Sequence, residues 1–161
     1  MPLLDFSAFA AALPARGVLV GVDPGEKRIG VAASDADRRI ATPVAQVART
    51  KMSDTAAQLW RLFHARRAVG WVVGLPLNMD GSAGPAAQSA RAFARNLMLP
   101  GDAPCLLWDE RLTTAAVTRE LIAMDTSRSK RAASIDMHAA AYLLQGALDR
   151  LANYSANGTS P

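Results

Sequence analysis

Alternating apolar runs and turn residues in the first third of the chain predict three consecutive β-strands. The strands are expected at 18–22, 29–34 and 40–47, and Pro24-Gly25 and an Asp-rich segment at 35–38 supply the turns between them. Proline donates no ladder hydrogen bond, so Pro43 predicts that the third strand is an edge strand or contains a bulge. This pattern indicates a sheet that begins antiparallel.

Helices and strands alternate along the rest of the chain, and residues 4–13 predict a short helix that docks on the domain. Ser53, Thr113 and Ser134 are candidate helix caps, and Pro85 suits a first helical turn. The later elements are expected at 54–67 (helix), 71–74 (strand), 85–97 (helix), 105–108 (strand), 113–123 (helix), 124–131 (mobile basic loop) and 134–151 (helix). This order predicts an α/β protein with a five-stranded mixed sheet flanked by helices.

Composition excludes several classes of protein. Half of the 161 residues are hydrophobic, which is typical of a globular domain, and no apolar run approaches the ~18 residues of a membrane span. The N-terminal segment lacks a basic leader and contains Asp5, so it does not read as a signal peptide. The one cysteine, Cys105, is expected in the core, and its isolation favours a reducing cytoplasm. A net charge of +4 permits, without requiring, binding to an anionic polymer.

Three acidic residues occupy segments that are otherwise apolar or turn-like. Asp23 closes the first strand, Glu110 follows the strand at 105–108, and Asp136 lies near the start of the last helix on its sheet-facing side. Converging carboxylates repel one another unless a cation lies among them, and hard oxygen ligands select Mg²⁺ or Mn²⁺. The acids therefore predict a metal-dependent enzyme. Each also has a plainer explanation, because Asp23 could form a turn and the other two could complement helix dipoles.

Five further residues are candidates for binding a phosphate-containing substrate. Arg111 could grip a phosphate with two N–H groups, although it could equally pair with Asp109 on the surface. Asn78 lies in a glycine-rich loop that could contact substrate or simply lead into the next helix. A cluster of three cations precedes the last helix: Arg128, Lys130 and Arg131.

Four segments together resemble the YqgF/RuvX family of pre-16S rRNA nucleases, also described as Holliday-junction-resolvase-like. They are GVDPGEKRIGVAASD (21–35), VVGLPLNMDGSAGPAAQSARAFARNL (72–97), WDERLTT (108–114) and SIDMHAAAYLLQGALD (134–149). The resemblance covers residues 17–150 and implies a single RNase H-like domain, with 1–16 as an extension and 152–161 as a disordered tail. It departs at Ala132-Ala133, where relatives often carry more lysines.

The resemblance implies that Asp23, Glu110 and Asp136 are catalytic ligands of Mg²⁺ or Mn²⁺. It also implies trimming of the 5′ end of precursor 16S rRNA in the bacterial cytoplasm, with pre-ribosomal particles as possible partners. Alternative functions are cleavage of branched DNA, which usually needs a symmetric dimer, and weakly catalytic RNA binding in ribosome assembly. The loop after Asp23 also resembles the phosphate loop of actin-like ATPases, but those enzymes need a second related domain.

Overall fold

The computed structural model describes residues 3–112 and 128–156, with side chains described for 3–111 and 138–155. The six strands are β1 (Leu3–Leu4), β2 (Val18–Pro24), β3 (Arg28–Ser34), β4 (Ala41–Ala48), β5 (Ala68–Leu75) and β6 (Cys105–Asp109). The helices are α1 (Phe6–Ala12), α2 (Met52–Ala65), α3 (Pro85–Leu97) and α4 (Arg128–Ala156), and a 3-10 turn covers Glu110–Leu112.

The strands form one mixed sheet in the order β1-β6-β5-β2-β3-β4. Strands β2, β3 and β4 are antiparallel neighbours, whereas β1, β6, β5 and β2 run parallel. The prediction of five strands is therefore wrong by one. The additional strand, β1, pairs Leu3 with Cys105 and Leu4 with Leu106, and two residues are too few to show an alternating pattern.

Strand β4 lies at one edge of the sheet and contains a bulge, as Pro43 predicted. Val31 pairs with Ala45 but Ala32 pairs with Pro43, so Val44 is the additional residue. Helices cover both faces of this sheet. Helices α2 and α3 pack on one side around Trp60, Phe63 and Trp71, and α1 and α4 pack on the other side.

Two helices begin earlier than the sequence predicted. Helix α2 begins at Met52 with Lys51 as its N-cap, so Ser53 lies inside the helix and does not cap it. Helix α4 begins at Arg128 rather than after Ser134, which places the three predicted loop cations, Arg128, Lys130 and Arg131, in its first turns. Arginine, lysine and alanine dominate residues 128–133 and are strong helix formers, which favours the longer helix.

Helix α4 also continues to Ala156, so the prediction of a disordered tail from residue 152 is wrong for residues 152–156. The reason lies in α1, because the ring of Tyr154 packs edge-on against the ring of Phe6 with 5.4 Å between centroids. Arg150 stacks its guanidinium 4.0 Å above the same ring. The predicted helix at 113–123, residues 124–127 of the predicted loop and residues 157–161 lie outside the described residues.

No helix in the described part of the chain is long and apolar enough to cross a membrane.

Candidate active site

Asp23 lies near the C-terminal end of β2, on the sheet face that α4 covers. Successive strand residues alternate between faces, so Asp23 shares a face with Gly21. A Cβ added to Gly21 would lie 2.8 Å from Cβ of Leu144 and 3.1 Å from the carbonyl oxygen of Ala140. The missing side chain thus lets α4 approach β2 closely, and Asp23 lies two residues further along that covered face.

Glu110 directly follows β6 and reaches the same place from a second strand. Its side chain hydrogen-bonds to that of Asp23. The space that it occupies exists because β5 has glycine at position 74. A Cβ at Gly74 would clash with Oε1 of Glu110 and lie 2.9 Å from its carboxyl carbon. Three strands therefore position the pair, because Asp23 lies in β2, Glu110 directly follows β6, and β5 leaves room for it.

Burial dominates the electrostatics of this pair. Loss of solvent raises the pKa of Glu110 to about 9, with further contributions from the hydrogen bond to Asp23 and from the negative charges of Asp23 and Asp109. Without a bound cation, Glu110 therefore keeps its proton at neutral pH, and its carboxyl O–H donates a hydrogen bond to the Asp23 carboxylate. A cation between them would replace that proton.

Asp136 lies in α4, one turn before Ala140. Gln145 accepts a hydrogen bond at 2.8 Å from the backbone N–H of Ala41, which opens β4 and lies level with the start of β2. Leu143 lies against Gly74, which is level with the end of β2. Helix α4 therefore runs antiparallel to β2. The backbone of Asp136 lies about 6 Å from that of Ala140 along the helix axis, in the direction of the end of β2 that carries Asp23.

The donor atoms of this site fit a hard divalent cation. The described carboxylates offer oxygen, the ligand atom that Mg²⁺ and Mn²⁺ prefer. The soft alternative is remote, because Cys105 is fully buried in the core and burial raises the pKa of its thiol to about 12. Among the side chains that the structure describes, no three acidic, histidine or cysteine residues cluster closely enough to hold a metal. The third predicted ligand, Asp136, is outside that set.

Arg111 pairs with Asp109 beside the acids. Its Nε lies 3.0 and 2.9 Å from the two carboxylate oxygens, and its Nη2 donates to Oδ2 at 2.6 Å. The hydrogen bonds from Arg111 lower the pKa of Asp109. This is the surface pairing that the sequence left open as the alternative to phosphate binding.

Asn78 organises a turn formed by residues 78–82, which we call the 78–82 turn. Its backbone N–H donates to the carbonyl of Ser82 at 2.9 Å, and its side-chain Nδ2 donates to Ser82 Oγ at 3.0 Å. Asn78 thus has a structural role inside the loop, and its contact with substrate stays a prediction. The turn lies against Arg111, whose Nη1 is 3.4 Å from the carbonyl oxygen of Met79.

Gly74 is the site residue that the sequence analysis missed. The apolar run Trp71-Val72-Val73 predicted a strand, and Gly74 was interpreted only as the end of that strand. A glycine inside a strand often marks the close approach of another group, and the observed strand continues to Leu75. That signal was available, but nothing in the sequence showed which group approaches.

Comparison with known proteins gives one family. The family model described as "RuvX: Holliday junction resolvase" matches residues 17–150. A relative from Bradyrhizobium sp. is 57% identical over 157 residues, which cover 98% of both chains, and is named "Putative pre-16S rRNA nuclease". One from Rhodopseudomonas palustris with the same name is 60% identical over 154 residues, covering 94% of this chain and 96% of the relative.

Solved structures with low sequence identity share the fold. RuvC from T. thermophilus, solved with a Holliday junction substrate, superposes with a TM-score of 0.54 at 15% identity, covering 89% of this chain and 98% of RuvC. The yeast mitochondrial Holliday junction resolvase gives a TM-score of 0.50 at 11% identity, covering 94% and 88%. These likenesses confirm the RNase H-like fold predicted from the sequence.

Proposed function

We propose that this chain, which belongs to the RuvX family, is a cytoplasmic nuclease that trims the 5′ end of precursor 16S rRNA. The observation that carries the proposal is the hydrogen-bonded pair of Asp23 and Glu110, both half-buried, in which loss of solvent raises the pKa of Glu110. Two acids held in hydrogen-bond contact and partly removed from water lower the stability of the fold, unless a cation binds between them. The names of its relatives supply the substrate.

In this proposal, Asp23, Glu110 and Asp136 hold Mg²⁺ or Mn²⁺ through carboxylate oxygens. The chemistry that such a cation supplies when bound is polarisation of the phosphodiester and acidification of a water molecule. A cation held there would take the place of the Glu110 proton, and Gly74 leaves the room that the Glu110 carboxylate occupies. Helix α4 packs on the sheet face that carries the pair. Three cations at the start of the same helix, Arg128, Lys130 and Arg131, bind the RNA backbone.

The direct test replaces Asp23 by asparagine, which keeps the size of the side chain and removes its charge. Loss of a group that only orients a metal ligand costs about 10- to 100-fold in metal affinity or activity, so we expect loss of a ligand to cost more. The measurement is Mg²⁺-dependent cleavage of a precursor 16S rRNA fragment. Asp54→Asn is the matched control, because Asp54 is exposed on α2 on the opposite face of the sheet. Cleavage by Asp23→Asn at the wild-type rate would contradict the ligand set.

A four-way DNA junction is the competing substrate, since the family description names a Holliday junction resolvase. We propose RNA as the substrate because the relatives that match nearly the whole chain carry the rRNA name. Parallel assays with junction DNA and precursor RNA, at equal protein and Mg²⁺ concentrations, distinguish the two. Faster cleavage of the junction would replace the RNA proposal while keeping the nuclease.

A further inference from the structure

Met79 is the most exposed large hydrophobic residue in the described part of the chain. Its exposed fraction is 91%, against 81% for Leu99 and 65% for Ile40. Single exposed apolar side chains are common on proteins and carry no meaning by themselves. The significance of Met79 depends on what holds it and on what lies beside it.

The turn that carries Met79 is fixed by its own hydrogen bonds. The N–H of Gly81 donates to the carbonyl of Asn78 at 2.8 Å, and the N–H of Ser82 donates to Oδ1 of Asp80 at 2.9 Å. Hydrogen bonds from Ser82 lower the pKa of Asp80, so this carboxylate stays charged at neutral pH and keeps accepting hydrogen bonds from the N–H and the hydroxyl of Ser82. The backbone of Met79 is thus held in one conformation while its side chain projects into solvent.

The same turn is attached to the rim of the candidate active site. Arg111 follows Glu110 directly, and its Nη1 lies 3.4 Å from the carbonyl oxygen of Met79. Gly81 allows this approach, because a Cβ there would lie 3.3 Å from Nη1 of Arg111. Asp109 fixes the guanidinium from the other side with an Nη2–Oδ2 distance of 2.6 Å. A chain of short contacts therefore ties Met79 to the segment that carries the catalytic candidate Glu110.

A methionine presented in this way suits contact with a nucleobase. Its side chain is unbranched and polarisable, and proteins that handle nucleic acids insert apolar side chains, methionine included, against unstacked bases. Charged or hydrogen-bonding groups would serve phosphate or base-edge contacts instead. We propose that Met79 packs against a base next to the scissile phosphate and thereby sets where the RNA lies across the acids; this inference rests on the proposed function.

The kinetic test uses the full chain with Mg²⁺ and a precursor 16S rRNA fragment. We expect Met79→Ala to raise KM about fivefold with a smaller change in kcat, because the contact positions substrate and takes no part in the chemistry. Met79→Leu keeps an apolar side chain of similar size and is expected to recover most of the loss. Leu99→Ala is the matched control, since Leu99 is also exposed but precedes β6 at the opposite end of the strand from Glu110.

A binding experiment separates the contact from catalysis. In an Asp23→Asn background, RNA with 2-aminopurine beside the cleavage position is expected to gain fluorescence on binding, and the gain is expected to fall with Met79→Ala. A wild-type chain that cleaves, with Met79→Ala unchanged in KM and fluorescence, overturns this inference alone. A wild-type chain that neither binds nor cleaves RNA overturns the proposed function and this inference with it.

Discussion

Glu110 shows how a single carboxyl group links burial to chemistry. A glutamate in water is charged above pH 4.5, but burial beside Asp23 raises the pKa of Glu110 to about 9. Between pH 4.5 and about 9, the folded metal-free protein therefore keeps a proton on Glu110 that the unfolded chain releases. The position of Glu110 at the end of a strand could be predicted from the sequence, because the apolar run before it is clear. Its depth could not, since that depends on Gly74 in another strand.

The first prediction concerns the stability of the metal-free protein. Below pH 4.5 both folded and unfolded states hold the Glu110 proton, and between pH 4.5 and about 9 only the folded state does. The free energy of unfolding should therefore fall as pH rises through this window, by up to about 1.4 kcal/mol per pH unit from this group. Glu110→Gln removes the titration, so its stability should change less with pH.

Urea unfolding in EDTA across pH 5 to 9 measures this difference between the two proteins. Asp35, Asp80 and Asp109 do not interfere, because hydrogen bonds lower their pKa values and their contributions are lost only as pH falls below the window. Parallel pH profiles for the wild type and Glu110→Gln would contradict the buried protonated state.

At the scale of elements, the site depends on how closely α4 lies over the sheet. Two glycines on one face permit this, since a methyl group at Gly21 would meet α4 and one at Gly74 would meet Glu110 and Leu143. The apolar faces of α4 and the strands were predictable from periodicity. Strand β1 and the first turns of α4 were not, because two residues carry no period and because the basic segment 128–131 resembles a loop in polarity while having high helix propensity.

Gly74→Ala tests the element packing directly. The added methyl group would displace the carboxyl group of Glu110, and a shift of about 1 Å in a catalytic group can cost about 100-fold in rate. We therefore expect cleavage of precursor RNA to fall by about that factor. Gly70→Ala, on the same face of β5, is the control, because its methyl group would meet the flexible ends of Leu19 and Leu13 at 3.0 and 3.1 Å and the ring of Phe9 at 3.4 Å, and neither acid.

Thermal unfolding of both variants separates a loss of stability from a loss of catalytic activity. A similar decrease in Tm for the two, with activity lost only in Gly74→Ala, would locate the effect at the acids. Full activity in a folded Gly74→Ala protein would show that the position of Glu110 is not critical.

At the scale of the whole molecule, the order of elements was enough to predict the α/β class, and the four family motifs predicted the RNase H-like fold. Charge was less informative. An excess of four positive charges is small, and whether it helps to bind a polyanion depends on where the basic residues lie. Arg128, Lys130 and Arg131 begin the helix that also carries Asp136, and at 1.5 Å per residue they lie about 8 to 12 Å from it along the axis.

That placement predicts a salt-dependent contribution to RNA binding. Each phosphate neutralised on a single strand contributes about −0.7 to the slope of log K against log salt concentration. Replacing Arg128, Lys130 and Arg131 together by alanine should therefore make the slope shallower by up to about 2, with weaker binding at low salt. A matched triple variant with alanine at Arg61, Arg91 and Arg95 removes the same charge from exposed positions on α2 and α3, across the sheet. Fluorescence anisotropy from 50 to 300 mM KCl measures both slopes. Equal slopes for the two variants would mean that the RNA senses only net charge, and that the start of α4 is not part of its binding surface.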